Sequence, residues 1–158
     1  MPLLHPMNSR AFLAYKAAEA ASFAEENVSC GRWPSEGALE RSLAEFDELL
    51  PQGLTTPKNY LYEIVAHDEG HTVGYLWFAA EERNGQQVAF IYDIQVLEAH
   101  RRQGYAMRAL IELQEIAKSF GLARVSLHVA GQNTEAQALC AKLGYAVMGI
   151  SMSIALAS

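Results

Sequence analysis

FIYDIQV, residues 90 to 96, and RRQGYA, residues 101 to 106, are the two short stretches that decide how this chain is read. The first closes an alternating run from Gln87 to Val96, the period of a strand. The second opens a helical run from Gly104 to Phe120, with Ala106, Leu110, Leu113, Ala117 and Phe120 on one face and Gly121 as its stop. A strand that passes into a helix and then into another strand, Arg124 to Ala130, has the form of a crossover, so the two strands can lie parallel. The junction also carries chemistry. A helix N-terminus presents unpaired N–H groups and the positive end of a dipole, which stabilises an anion. Gly104 lets the backbone come close to that anion, Ala106 keeps the next turn small, and Arg101, Arg102 and Arg108 add positive charge. The spacing differs from the GxGxxG dinucleotide pattern and from the P-loop.

Upstream of this junction the pattern is that of an antiparallel meander. Strands are expected at Tyr60 to His67, Thr72 to Glu81 and Gln87 to Val96, with turns at Asp68-Glu69-Gly70 and Asn84-Gly85. Before residue 58 the chain is helical. Asn8 or Ser9 can cap a helix to about Glu26 anchored by Phe12, Tyr15 and Phe23. Ser35 can cap a second helix with Leu39, Leu43, Phe46 and Leu50 at helical spacing, ended by Pro51 and Gly53. Downstream, Asn133 can cap a helix whose Ala136, Leu139, Cys140 and Leu143 share a face. Gly144 ends it, and a last strand is expected from Ala146 to about Leu156. The element order predicts one mixed α+β domain over residues 1–158.

Composition narrows the function classes. At 158 residues and 51% hydrophobic content, the chain can bury one substantial core. Its apolar runs fall short of the roughly 20 residues that span a bilayer, and a basic N-terminal leader is missing, so no membrane partner and a cytoplasmic location are expected. Two cysteines, Cys30 and Cys140, support neither a disulfide framework nor a metal site. A net charge of −6 disfavours nucleic acid as a partner, although the three arginines could hold a small polyanion.

RRQGYA resembles the signature of the GNAT superfamily of N-acetyltransferases: Gln or Arg, two variable residues, Gly, one variable residue, then Gly or Ala, between the fourth strand and third helix. The similarity extends to FIYDIQV and to LHVAGQNTEAQALCAKLGY, residues 127 to 145. It implies a GNAT-like, mostly antiparallel sheet with splayed central parallel strands, flanked by helices. It further implies acetyl-CoA as cosubstrate, bound in the loop Arg101 to Met107, with its pantetheine arm added to the strand at Ile94 and Val96. The Val96 N–H then polarises the thioester carbonyl, the pyrophosphate rests on backbone amides from about Arg102 through Gln103, Gly104, Tyr105 and Ala106 to Met107, and Asn133 reaches the pantetheine. The implied reaction is direct attack by the amine of a small molecule or peptide, with a base for the amine proton and an acid for the leaving thiolate.

The sequence departs from the family pattern at its catalytic positions. Cys140 stands where the resemblance implies a tyrosine acid; it reads first as a packed thiol and second as a proton donor. His128 occupies a slot filled by Glu in some members and is a candidate base or a solvated strand residue. Asp93 is offset from the position of another Glu base. Asn133 reads equally as a helix cap. A CoA-binding module with little turnover, or a partner-binding domain in which RRQGYA only starts a helix, are the other classes left open. So is a homodimer.

Overall fold

In the computed structural model, which describes residues 2–66 and 70–157, the chain divides into two compact units, residues 1–127 and 128–158. The first is built on a five-stranded sheet in the order β1-β2-β3-β4-β5, comprising Leu4–Pro6, Asn59–Val65, Thr72–Arg83, Gln86–Val96 and Arg124–Leu127. All neighbours are antiparallel except β4 and β5, which are parallel. The expected meander and crossover are therefore present. Asn84 and Gly85 both take positive φ, 51° and 81°, the conformation a two-residue hairpin between right-twisted strands requires. The expected strand end at His67, and Asp68 and Glu69 of the turn expected at Asp68-Glu69-Gly70, lie outside the described residues.

Helices α1 (Ser9–Ser29) and α2 (Ala38–Leu49) cover one face of the sheet. Asn8 caps α1, its side chain accepting from the Ala11 N–H at 2.8 Å. Phe12, Tyr15 and Ala20 from α1, Phe46 from α2, Leu50, Leu61 and Trp77 form one buried cluster, with Tyr15 edge-on to Phe46 and 5.2 Å from the Tyr75 ring. Two readings of α2 are corrected. Ser35 does not cap it: the cap is Gly37, in the left-handed region and with no side-chain bond. Its buried face is Ala38, Ser42 and Phe46, while Leu39 is 47% exposed. Spacing of four selects these positions, and the Ser42 hydroxyl is tolerated in the core because it donates to the Ala20 carbonyl at 2.7 Å.

On the other face lies α3 (Tyr105–Ser119), burying Ala109, Leu110, Leu113 and Ala117. Phe120 at its end is 45% exposed, yet its ring lies 5.0 Å from Tyr60 and 6.3 Å from Phe78. Glu112 accepts from the backbone N–H groups of Leu3 and Leu4 at 2.7 and 3.0 Å, which fastens the short apolar start of the chain as β1. No sequence pattern announced that strand. None of the described helices is long and apolar enough to cross a membrane.

The second unit contains α4 (Thr134–Lys142), capped by Asn133, whose side chain accepts from the Ala136 N–H at 3.1 Å. Gly144 follows its end with φ 96°. The strand expected from Ala146 to Leu156 is absent. Ile150, Met152, Ile154 and Leu156 keep a period of two, but they are 76–90% exposed and no ladder takes up their backbone. Alternation supplies a strand-like face; only a neighbouring strand makes it a strand.

Candidate active site

The site grows from an irregularity in β4. Trp77 of β3 pairs with Asp93 while Phe78 pairs with Ile91, so Tyr92 is an extra residue and the strand bulges there. Pairing with β5 stops at the same point, its last register being Ile91 with Leu127. From Tyr92 to Val96, β4 is thus held by β3 on one side only. The Leu97 N–H donates to the Val73 carbonyl at 2.8 Å, and by alternation the N–H groups of Val96 and Ile94 point away from β3. That is the unpaired edge an extended ligand arm needs. Gly74 permits the β3–β4 approach here, since a Cβ on it would lie 2.2 Å from the Gln95 carbonyl oxygen.

Beyond Val96, a 3-10 turn at Glu98–His100 leads into the loop. Arg101 turns back, its Nε donating to the Val96 carbonyl at 2.9 Å, so this arginine ties loop to strand. Arg102 and Gly104 both have positive φ, 65° and 82°, separated by Gln103. The loop from Arg101 to Gly104 is exposed, and Tyr105, Ala106 and Met107 are half-buried. Gly104 is the cap of α3 and brings no side-chain acceptor to it, while the first turn bond runs from the Arg108 N–H to the Gly104 carbonyl. The N–H groups of Tyr105, Ala106 and Met107 therefore have no acceptor within the helix, and no acidic side chain stands in its first turn.

The face of β4 toward α1 holds a polar network that the sequence reading reached only through Asp93. Tyr15 donates its hydroxyl to Asp93 Oδ2 at 2.7 Å; Gln95 Nε2 donates to the same oxygen at 3.0 Å and also to Glu19. Burial, and then the charge of Asp93, raise the Glu19 carboxyl to about 7. Burial also raises Asp93, against the two hydrogen bonds that favour its anion. Tyr15 is pushed well above the ordinary phenol range by burial and by Asp93, and so stays a donor. Tyr15 was read only as a core anchor, and Glu19 and Gln95 were not singled out. The available signal was the pair Tyr15 and Glu19 at i, i+4 on a helix expected to cover the sheet.

The remaining candidates belong to the second unit. His128 is exposed and lies one residue past the end of β5, outside the strand expected to carry it to Ala130. Cys140 is 8% exposed, and burial raises its thiol. Among the described residues no group of three or more histidine, cysteine, aspartate or glutamate side chains is placed to hold a metal. An open depression of about 370 Å³ lined by Lys58, Tyr60, Gln87 and Phe120 lies at the opposite end of β4 from Val96.

Comparison with known proteins bears on this geometry. Residues 21–145 match the model of the acetyltransferase (GNAT) family. The chain is 38% identical to an uncharacterized N-acetyltransferase, YycN, of Bacillus subtilis, with 96% of each chain covered, and 34% identical to another from the same organism, YdgE, with 94% of each covered. The crystal structure of YycN, described as a putative acetyltransferase, superposes with a TM-score of 0.90 at 37% identity over 98% of both chains. At 18% identity and a TM-score of 0.65, with 98% of this chain and 97% of the other covered, the fold is also that of AAC(6')-Iy in complex with a bisubstrate analog. With a strand that bulges and splays from its parallel neighbour, an uncapped helix start after RRQGYA, and these relatives, the chain belongs to the GNAT acetyltransferase family.

Proposed function

We propose that this chain transfers an acetyl group from acetyl-CoA directly to the amine of a small molecule or exposed peptide. The observation that carries this reading is the continuity from the one-sided end of β4 into the uncapped N-terminus of α3. Pantetheine fits the first as an added strand, through the N–H groups of Ile94 and Val96, and pyrophosphate fits the second, on Gly104 to Met107. The Val96 N–H then faces the thioester carbonyl and stabilises the oxyanion that forms during attack. The AAC(6')-Iy complex was captured with CoA-S-monomethyl-acetylneamine, a CoA joined to an amine-derived acceptor, which supports both ligands in this fold. A net charge of −6 suits a cationic acceptor. The protein works in the cytoplasm, where its free thiols Cys30 and Cys140 stay reduced.

Arg101 contributes mainly by holding the loop to Val96. Arg101→Ala should accordingly weaken acetyl-CoA binding only several-fold, as read by calorimetry, because the phosphate ligands are backbone amides. The function itself is tested by release of free CoA from acetyl-CoA with a panel of amines, polyamines, amino acids and peptides. Binding without release for every acceptor would favour the CoA-binding module; absence of binding would remove the reading altogether.

His128 and Asn133 enter this proposal only as the family resemblance implies, His128 as a candidate base in a slot that some members fill with Glu and Asn133 as both helix cap and pantetheine contact. Cys140 enters as a packed thiol. Its burial and raised pKa disfavour the thiolate, and its side chain is short. Cys140→Ala should lower thermal stability slightly and leave kcat within a few-fold, whereas loss of a proton donor typically costs roughly a hundredfold or more.

A further inference from the structure

The geometry points to Glu19 of α1 as the general base that takes the acceptor's ammonium proton, with Asp93 as the fixed anion that attracts the ammonium and Gln95 as the residue positioning both. This assignment rests on acetyl transfer to an amine as the chain's reaction. Gln95 Nε2 carries two hydrogens and spends one on each carboxylate, so the two acidic groups are held on either side of a single amide. That amide belongs to the residue before Val96, in the part of β4 that lacks a β5 partner. A nucleophile approaching a thioester polarised by the Val96 N–H from the α1 side meets this pair first.

The two carboxylates are not equivalent. Asp93 accepts from both Tyr15 and Gln95, and these bonds favour its ionised form; among the described residues Glu19 accepts from Gln95 alone, and it is half-buried beside the Asp93 charge. The pair therefore takes up its proton near neutral pH, and Glu19 is the site that receives it. The other groups facing it reinforce this. Glu26 on the same helix adds negative charge, and Tyr15 and Tyr75, whose phenols are raised by burial, remain neutral. On α2, Asp47 is ion-paired with Lys16 at 2.5 Å. In the step proposed, one proton passes from R–NH3+ to the Glu19 carboxylate. The free amine forms the N–C bond to the acetyl carbonyl as the C–S bond breaks, the nitrogen's second proton leaves with the thiolate as CoA thiol, and Glu19 returns its proton to solvent.

The test is Glu19→Gln, which keeps the side-chain shape and an oxygen for Gln95. In the parent, kcat/KM for two amines of widely different pKa should share a limb rising with pH through an apparent pKa near 7. In Glu19→Gln that limb should vanish and kcat fall by roughly a hundredfold, with acetyl-CoA affinity unchanged by calorimetry. A stability readout is independent of turnover. A raised carboxyl binds its proton more tightly folded than unfolded, so Glu19 should contribute a loss of parent stability as pH rises from about 4.5 to 7, and Glu19→Gln should make that slope shallower while the Asp93 contribution stays. Glu19→Gln with parental kcat and limb overturns the base while leaving acetyl transfer intact. A parent that releases no CoA with any amine overturns acetyl transfer and the base together. A slope over that range as steep in Glu19→Gln as in the parent overturns the titration of Glu19 on its own, whether or not the variant turns over.

Discussion

Gly104→Val should bind acetyl-CoA at least a hundredfold more weakly than the parent while remaining folded. Gly104 sits at φ 82°, a conformation that costs an L-residue roughly 1–2 kcal/mol, with a β-branched residue at the upper end. A Cβ there meets nothing within 4 Å, so the cost to the protein is the backbone strain rather than a clash at Cβ. On the proposed reading, that open space is the phosphate's approach to the N–H groups of Tyr105, Ala106 and Met107. Two branched methyls over it would remove at least two hydrogen bonds to a charged phosphate, each worth about 1.5–3 kcal/mol. Because every 1.4 kcal/mol is about tenfold in affinity, their loss exceeds a hundredfold. Gly104→Ala, with one methyl, should fall between. Calorimetry with acetyl-CoA decides it: parental affinity in a folded Gly104→Val protein would show that the phosphates do not rest on this turn.

Gly74→Ala should damage the site from the opposite side, through the strand rather than the loop. Its new Cβ would lie 2.2 Å from the Gln95 carbonyl oxygen and 3.1 Å from the Val96 Cα, and both are backbone atoms that no rotamer change can move. Strand β4 must shift away from β3 by most of an ångström at Val96, whose amide is the proposed thioester contact, and at the Gln95 bridge. Overpacking of this kind typically costs about 1–3 kcal/mol, a fall in Tm of several degrees for a chain of this length. Catalysis depends on placement, so kcat/KM should fall by about a hundredfold, more than the loss of stability alone would suggest. Gly131→Ala is the matched control, since its Cβ would meet nothing within 4 Å and its φ is not positive. A Gly74→Ala protein with parental Tm and kcat/KM would mean that β3 and β4 separate here without consequence.

Much of the fold was legible because it depends on local patterns. Asn-Gly at 84–85 encodes a hairpin through its φ preference, the periodicities of 87–96 and 104–120 differ in kind, and Asn8 and Asn133 cap the helices they precede. The conformation of the loop RRQGYA was legible for the same reason: Gly104 takes a positive φ before a helix, a local preference of glycine. Where a reading failed, the deciding partner lay elsewhere. Residues 146–156 alternate like a strand but find no ladder, and Leu4–Pro6 show no strand pattern but are paired with Tyr62 to Ile64 and fastened by Glu112.

By itself, then, the sequence determined the meander, the crossover from β4 through α3 to β5, and the positive-φ glycine turn that opens α3. Each follows from φ preferences and hydrophobic period over a dozen or so neighbouring residues. The tertiary structure decided the bulge at Tyr92, the point where β5 leaves β4, and the meeting of Tyr15, Glu19, Asp93 and Gln95 across more than seventy residues of chain. A carboxyl's proton affinity depends on burial and on the charge beside it, and neither is a property of its neighbours in sequence.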